Sequence, residues 1–123
     1  MRGTPSVFGQ VDPPVSTKLT TTGQTDVFEN SAQYSQTIKN LILVNEDTSN
    51  DIKVTLEWFD GSADETFFVG TIPKETTANF LDIPLYFSNE VSGQKIKATA
   101  GTANQITVTV IAVSDYGQQG QGG

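Results

Sequence analysis

Alternation of apolar and polar residues recurs along this chain, and it constrains the fold more than any other feature. Ile52, Val54, Leu56 and Trp58 fall on one face of a run whose other face carries Lys53, Thr55, Glu57 and Phe59. A period of two places successive side chains on opposite sides of a pleated strand, whereas a helix needs a period of about 3.6. Ile106, Val108 and Val110 alternate with Thr107 and Thr109, and Ile96, Ala98 and Ala100 alternate with Lys95, Lys97 and Thr99. The run from Ile38 to Val44 becomes apolar on both faces, as a central strand does. Leu81, Ile83, Leu85 and Phe87 alternate once more, with Pro84 on the opposite face. A proline there predicts an edge strand or a bulge, because it cannot donate to a ladder.

Turn-forming clusters separate these runs: Asn45 to Asp51, Asp60-Gly61-Ser62, Pro73-Lys74-Glu75, Asn89 to Gly93 and Ala100-Gly101-Thr102. Their even spacing is that of an antiparallel sandwich, and Val, Ile, Thr, Phe and Tyr dominate the segments between them. Strands are expected near residues 18–22, 25–30, 36–46, 51–60, 65–72, 76–87, 94–100 and 104–114. The fold class is therefore all-β, an antiparallel β-sandwich, jelly-roll-like or Ig-like, of about seven or eight strands in two packed sheets. Composition divides the chain into three parts. Residues 1–17 carry Pro5, Pro13 and Pro14 and read as an extended arm. Residues 18–116 hold the sandwich, and residues 117–123, a Gly/Gln segment, read as a flexible tail.

Among 123 residues there is no histidine and no cysteine. Ser-His-Asp and Cys-His triads, thiolate metal sites and disulfides are thereby excluded. Paired carboxylates could still do chemistry, but they need a deep cleft that a domain this small seldom builds. An enzyme is not expected, and neither is a cofactor or a metal. Fourteen acidic against seven basic residues give a net charge of −7, which repels a phosphate backbone. Nucleic acid is not an expected partner, and a basic protein surface is a better match. No run approaches the ~20 apolar residues of a membrane-spanning helix, so no membrane association is expected. Met1 to Pro5 leads into no apolar segment, so no secretory signal is expected.

Two acidic loops stand out. Asp60, Asp64 and Glu65 place three carboxylates within six positions, and Glu46, Asp47 and Asp51 form a second group. Such loops suit calcium in composition, but the EF-hand spacing is missing, and Asp at a hairpin tip is a turn former. A shared cation site would require both loops at one end of the sandwich. The aromatic pairs are the other candidates. Trp58-Phe59 and Phe67-Phe68 each put two rings on opposite faces of a strand, and a sandwich buries one face of each sheet. One member of each pair is then either exposed to a partner or covered by the arm. Tyr86 beside Phe87, and Val7-Phe8 in the arm, are further candidates for contact with a neighbour. The candidate contact residues are thus Val7, Phe8, Phe59, Phe67, Phe68 and Tyr86.

The succession Leu19 to Phe28, Ile38 to Asn45, Ile52 to Asp60, Thr71 to Thr77, Leu81 to Phe87, Ile96 to Ala100 and Ile106 to Val110 resembles the small β-sandwich structural proteins of tailed-phage virions. The likeness covers roughly residues 18–114 and is one of composition, strand order and turns. It implies a virion component of the capsid decoration, or cement, type: made in the host cytoplasm, seated on the capsid surface, bridging major capsid protein subunits and associating with copies of itself as a homotrimer. A neck or tail component is the alternative it leaves open. Outside the resemblance, a carbohydrate- or receptor-binding sandwich would need an exposed aromatic in a loop or cleft, whereas Trp58 sits mid-strand.

Overall fold

The structure, a computed structural model, describes residues 10–30, 33–81 and 85–115. They form ten strands and no helix: β1 (Gln10–Val11), β2 (Val15–Lys18), β3 (Thr25–Glu29), β4 (Gln36–Asn45), β5 (Ile52–Phe59), β6 (Asp64–Ile72), β7 (Thr76–Leu81), β8 (Tyr86–Phe87), β9 (Lys95–Ala100) and β10 (Ile106–Ser114). The first sheet runs β1/β2, β10, β4, β7/β8, with β1 and β2 both on β10 and β7 and β8 both on β4. The second runs β3-β9-β5-β6, and every pairing is antiparallel.

The pairings are nested. Strand β5 pairs with β6, β4 with β7 and β8, β3 with β9, and β2 with β10, so the chain is a long antiparallel ribbon with its tip at residues 60–63. Curling that ribbon brings β10 against β4 and β9 against β5, which divides it into two sheets. This is the double Greek key of a jelly roll, and it settles the choice left open by the alternation. An Ig sandwich, also Greek-key, would group its seven strands as A-B-E-D and C-F-G.

The core lies between the sheets and follows the alternation. Ile52, Val54 and Leu56 of β5, Ile96, Ala98 and Ala100 of β9, Ile106, Val108 and Val110 of β10, and Leu41 and Leu43 of β4 are all buried. Phe87 sits at the centre of an aromatic layer, with the Phe28 ring 5.7 Å away and the Trp58 ring 6.5 Å away, both near-parallel to it. Asn45 is buried as well, and its amide donates to the carbonyls of Ile72 (2.9 Å) and Asn50 (3.1 Å). One polar side chain at the end of β4 thereby clasps two loops.

Three features differ from the sequence expectations. The strand expected at 18–22 is instead β2, Val15–Lys18, and Thr20 to Gly23 form an exposed turn. The chain leaves β10 after Leu19, whose N–H donates to the Ile106 carbonyl (2.8 Å). Residues 10–17, read as the end of an arm, run along β10 within the first sheet. The expected strand 76–87 is two strands, and their faces do not continue. In β7 the even-numbered Ala78 and Phe80 pack on the core, whereas in β8 it is the odd-numbered Phe87. Pro84 and the segment 116–123 lie outside the described residues.

Candidate partner-binding surfaces

The strand directions divide the loops between two ends. The turns at 19–24, 46–51, 73–75 and 101–105 share one end, and those at 60–63 and 88–94 share the other with Gln10 and Asp115. The two acidic loops therefore lie at opposite ends of β5, about 26 Å apart for an eight-residue strand. They build no common cation site. Each Asp is instead occupied locally. Asp60 Oδ1 accepts the N–H groups of Ser62 (2.8 Å) and Ala63 (2.9 Å), and Asp47 Oδ1 accepts those of Ser49 (2.8 Å) and Asn50 (3.0 Å). Gly61, between these contacts, has a φ of 103°, and an added Cβ would meet Val91 Cγ1 at 2.7 Å. Glycine is the residue this turn requires. Among the described residues no group of three acidic side chains is placed to hold a metal.

These backbone hydrogen bonds hold both Asp47 and Asp60 below their ordinary value of 3.8. For Asp60 the Ala63 N–H contributes most, and for Asp47 the Ser49 N–H does. A carboxyl whose pKa is depressed by folding stabilises the fold above its unfolded value and loses that contribution as pH falls through the folded one. Asp60→Ala should therefore lower the midpoint of thermal unfolding by a few degrees at neutral pH. The gap to the parent protein should shrink below about pH 4, as read by circular dichroism melts across a pH series.

The aromatic candidates do not converge on one patch. Phe59 faces outward at the end of β5, where Lys97 Nζ lies 4.7 Å from its ring centroid, and the same ammonium pairs with Asp64 at 3.1 Å. Phe67 and Phe68 are both half-buried and packed on the core. A bulge explains this: Leu56 opposes Phe68 and Glu57 opposes Thr66, so Phe67 is an extra residue and the alternation restarts. Phe68 also lies across Gly70 and packs on Phe80 at 4.9 Å, closing the side where β6 and β7 meet. Tyr86 is 49% exposed on the outer side of the first sheet. Val7 and Phe8 lie outside the described residues.

The sequence reasoning passed over two other features. A cleft of about 480 Å³ opens between the sheets beside β2 and β3, lined by Pro13, Pro14, Val15, Phe28 and Tyr34 among others. Its floor is tied by Asp12 Oδ2, which accepts from Ser114 Oγ (2.6 Å) and Gln36 Nε2 (2.9 Å). Both donors are buried. The second feature is the difference between the two outer sheet faces. The strands of the second sheet carry Asp26, Glu29, Glu57, Asp64 and Glu65 with Lys53, Lys95 and Lys97. Lys95 pairs with Asp26 at 3.1 Å, a contact that raises the Lys95 pKa, and Lys97 pairs with Asp64. The strands of the first sheet carry Lys18 and Lys39 and no acidic residue. That asymmetry is visible in the sequence of 36–45 and 106–114, but only the topology shows that these runs are neighbours.

No protein-family model matches the chain, and no curated protein matches it in sequence. Solved structures do match its fold. A chain of the cyanophage Pam1 capsid asymmetric unit superposes with a TM-score of 0.55 at 15% identity, over 93% of this chain and 90% of that one. A chain from the acid-stable capsid of Helicobacter pylori bacteriophage KHP30 gives 0.52 at 10% identity, over 87% and 86%. A chain of the Bacillus endospore appendages, disulfide-linked pili, gives 0.51 at 9% identity, over 87% and 86%. At these identities the likeness is one of fold.

Proposed function

We propose that this chain is a non-enzymatic structural protein of a phage virion, acting as a capsid decoration protein that binds major capsid subunits on the head surface and associates with copies of itself, as a trimer at local threefold positions. The observation that carries the reading is the end-to-end match to chains from two phage capsid structures, each nearly the length of this one. The fold matched is a whole jelly roll, a scaffold that recurs in virus shells. The third neighbour comes from a pilus, which is also built from repeated copies, and this supports assembly rather than catalysis. The acidic surface suits docking onto basic shell positions, and many weak contacts on a symmetric shell add through multivalency.

The test mixes purified protein with heads of the parent virion assembled without it. Saturable binding and a higher temperature of head disruption are expected. Heads that take up no protein, or that bind it with no gain in resistance to heat or pressure, would overturn the decoration role. Salt titration adds a check: docking of an acidic chain on a basic shell should weaken as ionic strength rises.

A further inference from the structure

The strands of the first sheet leave their outer face without an acidic residue. None of the thirteen acidic residues described, the fourteen of the chain less Asp82, lies on a strand of that sheet. Seven are in loops at the two ends or just after β10, five are on the second sheet, and Asp12, between β1 and β2, turns its carboxylate to the buried Gln36 and Ser114. Alternation in β4 and β10 turns Leu41, Leu43, Val108 and Val110 into the core, so Ile42, Val44, Thr107, Thr109 and Ile111 face outward. Ile42 opposes Thr109, and Val44 opposes Thr107, which makes an uncharged patch, with the exposed Lys39 beyond it on β4. Val11, 58% exposed, and Tyr86, 49% exposed, extend the apolar surface to either side. Of the two lysines, Lys18 is paired with Glu46 at 3.0 Å at the rim.

We infer that this face is a self-association surface, buried against another copy of the chain. The reason is electrostatic. Each copy carries a charge of −7, so two copies repel wherever acidic loops or the second sheet approach each other. A basic partner would be drawn to those same regions and gains least from the acid-free face. Two copies of one acidic chain meet with least repulsion where each is free of carboxylates, so this face against the same face of a second copy is the contact their charge leaves open. The size also fits. Four strands by nine residues span roughly 20 by 30 Å, on the order of 600 Å² in projection. Side-chain relief and rim residues bring that close to the ~800 Å² per partner of a standard interface. Tyr86 supplies the large amphipathic ring that interfaces favour.

The inference rests on reading the chain as an assembly protein, and its test is run without any shell. Sedimentation of the parent protein over a concentration series should show self-association. The association should hold or tighten from about 0.1 M to about 1 M salt, because screening shortens the Debye length from ~10 to ~3 Å and removes the repulsion between copies. Ile42→Glu places a charge at the centre of the face, and Thr37→Glu does so at an exposed position that leaves the core untouched. Each should weaken self-association at least about tenfold, while Thr55→Glu, on the outer side of the second sheet, changes it by less than about twofold. Circular dichroism melts confirm that each variant is folded. A parent protein that stays monomeric at millimolar concentration overturns the inference. So does association that salt abolishes, or that Thr55→Glu disrupts and Thr37→Glu does not. Self-association through this face without binding to heads would instead sink the decoration role and leave the interface standing.

Discussion

Phe87→Ala is expected to cost about 3–5 kcal/mol of folding stability, the range for emptying a fully buried aromatic site. Phe87 has no exposed surface, and its ring lies between those of Phe28 and Trp58 at 5.7 and 6.5 Å. Its strand, β8, has two residues and pairs only with Gln36 and Thr37, so the ring rather than the ladder anchors the segment. Three elements from both sheets would lose their common contact at once. A domain of this size is stable by about 5–15 kcal/mol in total, so the loss takes about a fifth of the margin or more. Urea titration followed by the fluorescence of Trp58, the single tryptophan, reads the midpoint and reports on the stack itself. Tyr86→Ala, one residue away and half exposed, is the control and should cost less than about 0.5 kcal/mol. If the two variants were equally stable, the aromatic layer would not be the centre of the core.

Parts of this architecture were plain in the chain and parts were not, for physical reasons. β5, β9 and β10 are buried on one face with unbroken alternation, and β4 alternates on either side of one bulge, so their bounds agree with the expected ones to within a residue or two. β2 has no such face, since Val15, Ser16 and Lys18 are exposed and Thr17 half-buried. What holds it is backbone pairing with β10, which leaves no trace in side-chain pattern. The Thr-rich stretch that follows has strand-like composition and drew the expected strand three residues too late. The bulge in β6 was equally invisible, because the residue it accommodates is an ordinary Phe67, and the expectation that one ring of the pair points away from the core followed from assuming unbroken alternation. The choice between jelly roll and Ig sandwich depends on which distant strands pair, and β2 and β10 are about as far apart in the chain as two strands can be. The acid-free runs were legible one by one, yet they became a surface only when β10 was found between β2 and β4.

Removing residues 1–17 should cripple the fold, whereas removing residues 1–9 should leave it intact. Residues 10–18 extend along the whole of β10, from Gln10 opposite Ser114 to Lys18 opposite Thr107. Cutting them away strips one side of β10 and leaves its N–H and C=O groups as a bare edge. It also deletes Asp12, so Gln36 and Ser114, both buried, lose the carboxylate that accepts their hydrogen bonds. Gln36 Nε2 keeps Ser114 Oγ at 3.4 Å, but losing the charged acceptor of a buried donor still costs on the order of 1–3 kcal/mol, and each ladder bond contributes about 0.5–1.5 kcal/mol. The sum is on the order of 3–6 kcal/mol, enough to leave a domain of ordinary stability partly unfolded. A bare β10 edge also invites strand pairing between molecules, so aggregation should accompany the loss. The shorter truncation touches none of these contacts and should stay within about 0.5 kcal/mol of the parent. Urea denaturation of the parent and both truncations tests the pair of expectations, and equal stability for all three would mean that β1 and β2 add nothing to the sheet. The contrast matters for function because Val7 and Phe8 are candidate residues for anchoring the arm on a neighbour. Loss of head binding on removing residues 1–17 would confound an anchor with a damaged sandwich. Loss on removing residues 1–9, with stability unchanged, would assign the contact to the arm itself, and full binding by that shorter form would move the anchor onto the sandwich.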